Sequence, residues 1–248
     1  MIAVNGKGGT GKTTVTALVI AALASRSAGS ILAIDADPNA CLADALDAAG
    51  TDTIVDVCDG ISRSIENIPA GMPKSRYMEM KVEEAIREDD KFDLLVMGRP
   101  EGPGCYCYAN NLLRDMMKRV TGRYDFIVID NAAGMEHISR RTAGNVDRLM
   151  LVSDYSVQGV MAAKKIYELA RSLKIKVGRA GIVVNKVSGP VSAIDKGIKD
   201  TGLEFIGAIP YDEAVVRWGV SGDSVFKFDS KAVGDAIKNI TDKITKKV

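Results

Sequence analysis

The stretch GKGGTGKTT at residues 6–14 follows a short apolar run and precedes a helical pattern. It fits the spacing G-x-x-x-x-G-K-[ST], with Gly6, Gly11, Lys12 and Thr13 at the fixed positions. Glycines let backbone N–H groups converge on phosphate oxygens, and a helix that begins near Lys12 directs its positive dipole end at the same anion. The segment therefore predicts a nucleotide-phosphate site between a strand and a helix.

The residue types within this loop predict separate contacts with ATP and Mg²⁺. We expect the Lys12 ammonium to bridge the β- and γ-phosphates during catalysis, and the Thr13 hydroxyl to bind Mg²⁺. The predicted nucleotide-binding residues of the loop are Gly8, Gly9, Thr10, Gly11, Lys12, Thr13 and Thr14.

Short apolar runs alternate with amphipathic stretches along the chain. This alternation predicts an α/β fold of the P-loop type, with a mostly parallel central sheet of about seven strands and helices on both faces. We expect one domain over residues 1–248 and leave residues 50–92 unassigned. The predicted strands are Met1–Val4, Ile31–Asp35, Asp93–Met97, Asp125–Asp130, Arg148–Ser153, Arg179–Asn185 and Glu204–Ala208. The predicted helices include Lys12–Ser27, Asn110–Val120, Val157–Leu173 and Ala193–Thr201.

Composition excludes several classes of protein. Lys plus Arg is 33 and Asp plus Glu is 32, which gives a formal net charge of +1 and no broad basic surface for nucleic acid. No apolar run reaches the roughly 18 residues that a membrane span needs, and no signal peptide is recognisable. Four cysteines are too few for a disulfide scaffold in 248 residues. A reducing cytoplasm is the expected compartment.

Carboxylates stand at the ends of two predicted strands. Ligands of open α/β sheets bind beyond the carboxyl ends of the strands, so Asp35, Asp37 and Asp130 are expected near the phosphate loop. Asp130 is expected to hold Mg²⁺ through water. An alternative for Asp35 or Asp37 is capping of a helix that begins near Cys41.

Lys7, a second lysine directly after the first glycine, makes the loop resemble the deviant Walker A motif. That family contains the nitrogenase iron protein, cell-division site-selection ATPases, plasmid-partition ATPases and arsenite-pump ATPases. The resemblance implies that Lys7 reaches the partner's nucleotide in a homodimer, and that Asp37 orients the attacking water. It also implies that Gly134 senses the γ-phosphate, that Asn185 reads the adenine edge, and that Pro210-Tyr211 flanks the base. Turn roles for Gly134 and Asn185 are the alternatives.

Cys105-Tyr106-Cys107 departs from a generic phosphate-loop protein. In an extended segment these two thiols would face the same side and could grip one ion. Tetrahedral sites of soft or borderline metals take four ligands, so Cys41 and Cys58, or a second copy of the motif across a two-fold axis, would complete the set. The alternatives are two buried structural cysteines or a strained disulfide.

Several further motifs narrow the resemblance to the maturation ATPases of carbon monoxide dehydrogenase and acetyl-CoA synthase. These motifs are Asp37-Pro38 with Cys41-Leu42, Cys105-Tyr106-Cys107, Asp130 to His137, and Ile209-Pro210-Tyr211. The resemblance implies an ATP-dependent nickel-insertion chaperone that binds Ni²⁺ or Zn²⁺ at a homodimer interface through Cys105 and Cys107 of each subunit. Its partner would be a nickel enzyme client.

Two other functions fit parts of the sequence. Thiolates at a dimer interface could hold an iron–sulfur cluster, as in a carrier or a reductase that resembles the nitrogenase iron protein. The amphipathic stretch Lys231–Val248 could lie on a membrane, as in a partition-type organising ATPase. Its apolar face lacks Trp, Phe and Leu, which favours a helix docked on the core instead.

Overall fold

The computed structural model describes residues 1–63, 65–99, 106–120, 122–133 and 146–246, with 65, 106–110 and 120 described through their backbone. Its centre is a seven-stranded sheet in the order β3-β2-β4-β1-β5-β6-β7, in which all neighbouring strands are parallel. The strands are β1 (Ile2–Gly6), β2 (Ile31–Ala36), β3 (Asp93–Val96), β4 (Phe126–Asn131), β5 (Val146–Ser153), β6 (Val177–Val187) and β7 (Glu204–Pro210).

Helices follow the strands and cover both faces of the sheet. They are α1 (Lys12–Ser25), α2 (Cys41–Ala45), α3 (Ile54–Arg63), α4 (Lys74–Glu84), α5 (Tyr106–Val120), α6 (Val157–Ser172), α7 (Asp195–Thr201), α8 (Glu213–Ser221) and α9 (Lys231–Thr245). Single turns of 3₁₀-helix occur at Ile65–Asn67, Val191–Ile194 and Val225–Lys227.

The predicted α/β architecture is confirmed, and all seven predicted strands exist. Several strands are longer than predicted at the end that faces the phosphate loop. β1 runs on to Gly6, β6 to Val187 and β7 to Pro210. β1 gains Asn5 and Gly6 and β6 gains Lys186 and Val187, so both ladders continue through polar or glycine residues at which the apolar pattern is interrupted, whereas β7 gains Ile209 and Pro210.

One face of the sheet packs against α1 and α9. Residues on nearly every side of α1, from Val15 to Leu23, are buried, so this helix lies inside the core rather than on the surface. Apolar side chains of α9 are buried on the same face, namely Val233, Ile237, Ile240 and Ile244. The predicted core-docked C-terminal helix is therefore correct, and within the described ranges no helix is long and apolar enough to cross a membrane.

The other face carries two groups of helices. α3, α4 and α5 pack over β2, β3 and β4, while α6 and α7 pack over β1, β5 and β6. The unassigned region 50–92 holds α3 and α4. In α4 only Met78 and Val82 are buried, and so short an apolar stripe gives little periodicity for sequence reading.

Candidate nucleotide-binding site

The loop between β1 and α1 crosses the carboxyl edge of the sheet between β4 and β5, the neighbours of β1. Two of its glycines are required by close approach. A Cβ on Gly6 would lie 2.3 Å from the Val152 carbonyl oxygen, and one on Gly11 would lie 2.5 Å from the Asn185 amide nitrogen. Gly11 also has a left-handed φ of 85°, which glycine adopts at low cost. The loop is thus built against β5 and β6 without room for side chains at these positions.

Lys12 begins α1 and is 7% exposed. Its Nζ lies 3.5 Å from the carbonyl oxygen of Lys7, across the loop. Burial lowers the pKa of the Lys12 ammonium, and the nearby carboxylates of Asp130 and Asp37 oppose that effect. The structure therefore places a desolvated cation at the loop, as a phosphate-binding lysine requires.

The predicted Mg²⁺ residues Thr13 and Asp130 are in direct contact. Thr13 Oγ1 donates to Asp130 Oδ2 over 2.6 Å, and Thr16 Oγ1 lies 3.1 Å from Asp130 Oδ1. Burial raises the pKa of Asp130 to about 6, while the two hydroxyls and Lys12 act in the opposite direction. Hydroxyl and carboxylate oxygens are the hard ligands that Mg²⁺ prefers, so these residues fit the ion. Thr16 was missed in the sequence because it lies one helical turn beyond the motif.

Asp35 is fully buried and lies beside Asp130, its register partner on the neighbouring strand. Its Oδ2 accepts from the backbone N–H groups of Leu42 at 2.8 Å and Ala43 at 3.2 Å, and its Oδ1 accepts from Asp37 N–H at 3.1 Å. Asp35 therefore caps α2 from a distance, which confirms the capping alternative for this residue. Burial and then the charge of Asp130 raise the pKa of Asp35 to about 7.

Lys7 and Asp37 lie at the rim of the loop. The Lys7 residue is exposed, and Asp37 is half-buried with its Oδ1 accepting from the backbone and side-chain nitrogens of Asn39, both at 2.9 Å. The Asp37 carboxylate is held in place by this turn. The water-orienting role of Asp37 and the action of Lys7 across a dimer stay predictions.

Asn185 and Lys186, at the end of β6, contact the phosphate loop directly. Asn185 Nδ2 donates to the Thr10 carbonyl oxygen over 2.8 Å, and Lys186 Nζ donates to the Gly9 carbonyl oxygen over 2.9 Å. Asn185 is 6% exposed. Contact with adenine stays a prediction for Asn185, and Lys186 is a loop-binding residue that sequence reasoning missed.

The segment predicted to flank the base lies at the same edge. Pro210 ends β7, and the N–H of Tyr211 donates to the Val187 carbonyl oxygen over 2.9 Å. Tyr211 is 52% exposed. Gly134 lies outside the described residues, but Ala133 before it approaches the loop, with its Cβ 3.8 Å from the Cβ position of Gly8.

The predicted thiol site is described only in part. Cys107 lies in the first turn of α5, which starts four residues earlier than predicted, so the expected extended Cys-x-Cys segment is wrong at Tyr106–Cys107. Residues two apart in a helix do not share a face, so the same-side argument for the two thiols fails where the helix begins. Cys105 lies outside the described residues. Among the described residues no group of three or more His, Cys, Asp or Glu forms a metal site.

The other two cysteines are free thiols, exposed at Cys41 and half-buried at Cys58. Cys58, a residue of α3, packs against the apolar core, and burial raises the pKa of its thiol to about 11. Burial also raises the pKa of the Cys41 thiol, with Asp37 and Asp35 adding to the effect. Neither environment favours the thiolate form that binds metals.

Asp35 should give the nucleotide-free protein a recognisable pH dependence. Its pKa is about 7 in the folded state against an ordinary value of 3.8, so the folded state binds the proton more tightly than the unfolded state. The contribution of this group to the free energy of unfolding is then greatest below about pH 4 and falls as pH rises toward about 7, by up to roughly 4 kcal/mol. Asp35→Asn removes the titration. Urea unfolding at pH 4.5 and 7.5 without Mg²⁺ should show a smaller fall in the variant, and parallel falls would contradict this assignment.

A strand–glycine loop–helix unit with a buried lysine, and a pair formed by the Thr13 hydroxyl of that helix and the Asp130 carboxylate of the neighbouring strand β4, define an ATPase of the P-loop class that uses ATP and Mg²⁺. The chain belongs to the family described as the CobQ/CobB/MinD/ParA nucleotide binding domain, which matches residues 1–225.

Individual relatives match almost the whole chain. An uncharacterised ATP-binding protein of Methanocaldococcus jannaschii is 40% identical over 100% of this chain and 99% of its own length. The carbon monoxide dehydrogenase accessory protein CooC of Rhodospirillum rubrum is 32% identical over 91% of this chain and 89% of its own. The cell division ATPase MinD of Pyrococcus furiosus has the same fold, with a TM-score of 0.71, 23% identity, and coverage of 98% of this chain and 97% of that one.

Proposed function

We propose that this protein is a cytoplasmic, ATP-dependent metallochaperone that inserts nickel into carbon monoxide dehydrogenase or acetyl-CoA synthase. The observation that carries the proposal is the 32% identity with a carbon monoxide dehydrogenase accessory protein over 91% of the chain. The pair Cys105 and Cys107 supplies the chemistry, since thiolates suit nickel and zinc better than oxygen ligands do. In this function the protein carries nickel to the client enzyme, and ATP provides the free energy.

The number of metal ligands that each chain supplies favours a homodimer. Each chain supplies two closely spaced sulfurs, and a closed tetrahedral site of a soft metal takes four. An isologous dimer brings the same patch of two subunits together, so one ion would be shared by Cys105 and Cys107 of both chains. Metal binding would then promote dimerisation, because neither half-site is complete alone.

The described site supplies a link between nucleotide and the surrounding segments. Mg²⁺, when bound by Thr13 and Asp130, would neutralise charge on the phosphate oxygens. Asp35 is charge-coupled to Asp130 and accepts a hydrogen bond from the N-terminus of α2. A change of charge at Asp130 would therefore alter the electrostatic environment of the Asp35 carboxylate, which caps α2. Cargo release requires only that the ATP and ADP states differ in metal affinity.

Metal titration with mass determination tests the shared site. Wild-type protein should bind one Ni²⁺ or Zn²⁺ per dimer, and Cys105→Ser or Cys107→Ser should each lose the ion and the metal-driven dimer while monomer folding stays intact. Cys58→Ser is the matched control because its thiol packs on the core, and Cys41→Ser tests the alternative ligand. One tightly held ion per monomer, or wild-type binding in either variant of the pair, would overturn the shared site.

Client transfer tests the delivery role. Nickel-loaded protein with ATP should activate nickel-free carbon monoxide dehydrogenase or acetyl-CoA synthase, whereas the Cys105→Ser protein should not. Activation equal to that by free Ni²⁺ would argue against a chaperone. Visible absorption by anaerobically purified protein, with iron and sulfide in equal amounts, would instead support the iron–sulfur reductase function.

A further inference from the structure

We infer that Asn185 and Lys186 are positioning residues that orient the phosphate loop for its anion, independently of the base that the nucleotide carries. The observation is a pair of hydrogen bonds from adjacent residues of β6 to adjacent carbonyl groups of the loop. Asn185 Nδ2 donates to the Thr10 carbonyl oxygen over 2.8 Å, and Lys186 Nζ donates to the Gly9 carbonyl oxygen over 2.9 Å.

Anchoring a carbonyl group fixes the N–H group of the same peptide unit. The C=O and N–H of a planar trans peptide point in opposite directions. Holding Gly9 O toward β6 therefore turns the N–H of Thr10 away from β6, and holding Thr10 O does the same to the N–H of Gly11. A phosphate loop works by convergence of such N–H groups on one anion. The two side chains thus set two consecutive donors before the nucleotide arrives.

The backbone at Lys186 is strained in a way that serves this contact. Lys186 has φ 58°, in the left-handed region that is unfavourable for a residue other than glycine. The residue also lies where the ladder between β6 and β7 is irregular, between Val184 and Val187. The strand resumes pairing at Val187 with Pro210, so this irregularity spans the two residues that reach the loop, and a separate register shift lies between Ile182 and Val183.

The two side chains also occupy the space beside Gly11. The Cβ position of Gly11 lies 2.5 Å from Asn185 Nδ2 and 3.9 Å from Lys186 Cε. Asn185 is itself fixed, because its Oδ1 accepts from the N–H of Lys186 over 2.9 Å. The side-chain amide of Asn185 therefore bonds to the loop through Nδ2 and to its own strand through Oδ1. This arrangement predicts an effect on phosphate binding, whereas adenine reading by Asn185 predicts an effect on base preference.

Binding measurements with three probes separate these roles. ATP, GTP and inorganic tripolyphosphate share the phosphate chain and differ in the base. Asn185→Ala and Lys186→Gly should each raise the Kd of all three probes by the same factor, about tenfold for one lost hydrogen bond. Lys186→Arg keeps a donor of similar reach and should restore most of the affinity.

Lys186→Gly also separates positioning from a purely structural role. Glycine tolerates the left-handed backbone, so the thermal midpoint of the variant should stay equal to that of the wild type or rise. Lys164→Met is the matched control, since Lys164 Nζ donates to the Asp200 carbonyl oxygen over 3.0 Å, outside the site. Its Kd values should be those of the wild type.

Three results would overturn the inference. The first is a loss of affinity in Asn185→Ala for ATP alone, which would assign the residue to the base. The second is unchanged affinity in Lys186→Gly. The third is wild-type protein that binds ATP but neither GTP nor tripolyphosphate, because phosphate recognition would then depend on the base.

Discussion

Lys12→Ala should abolish measurable ATP hydrolysis, with a fall in kcat of about a thousandfold or more. The Lys12 residue is 7% exposed and its Nζ lies 3.5 Å from the Lys7 carbonyl oxygen, so its charge acts on phosphate oxygens with little screening by water. Nucleotide affinity should fall as well. Phosphate release under steady-state conditions measures the first effect, and calorimetric titration measures the second.

Folding should survive this substitution. Burial lowers the pKa of the Lys12 ammonium, which means that the charged form is costly in the free protein. Lys12→Ala should therefore unfold at the wild-type temperature or above it. Lys199→Ala, which removes an exposed lysine paired with Asp195 on α7, is the control for turnover. Normal hydrolysis by Lys12→Ala would refute the assignment of the phosphate site.

Lys7→Ala should keep nucleotide binding but lose hydrolysis and nucleotide-dependent dimer closure. The side chain is exposed at the rim of the loop, where a second ammonium can reach a neighbouring subunit and offset charge on the transferring phosphoryl group. Size-exclusion chromatography with light scattering, with and without ATP, measures closure. Binding of a fluorescent ATP analogue measures the retained affinity.

Mixing two inactive variants tests whether Lys7 acts across the dimer. A mixed dimer of Lys7→Ala and Lys12→Ala contains one site with Lys12 from the first subunit and Lys7 from the second. Such mixtures should regain part of the wild-type turnover, although each variant alone is inactive. If Lys7→Ala hydrolyses ATP normally by itself, Lys7 has no catalytic role. If the mixture stays inactive, Lys7 acts within its own subunit.

The phosphate loop and the sheet could be predicted because their signals are local. Glycine spacing, one lysine and alternating apolar runs are properties of neighbouring residues, and they identified β1, α1 and the Thr13–Asp130 pair. The ends of β1 and β6 were harder to predict, because their ladders continue through polar or glycine residues. The helix around Cys107 was missed because the proposed metal chemistry suggested an extended segment.

The miss at Lys186 depends on a contact between distant parts of the chain. Lys186 reaches Gly9, 177 residues away, and it has a positive φ where the ladder between β6 and β7 is irregular. The spacing of residue types along the sequence carries no record of this contact. Capping of α2 by Asp35 was, in contrast, among the alternatives that the sequence offered, because this carboxylate stands only seven residues before Leu42.

The packing of α1 beside α9 on one face of the sheet has a consequence for protein synthesis. α1 carries Lys12 and Thr13, yet one side of it is covered by a helix that is made more than 200 residues later. Arg26, just beyond α1, also pairs with Asp242 of α9 over 2.6 Å. A nascent chain that has emerged from the ribosome only as far as β7 would expose the apolar side of α1 that α9 covers. We expect such a chain to recruit chaperones and to bind ATP poorly until α9 has left the exit tunnel.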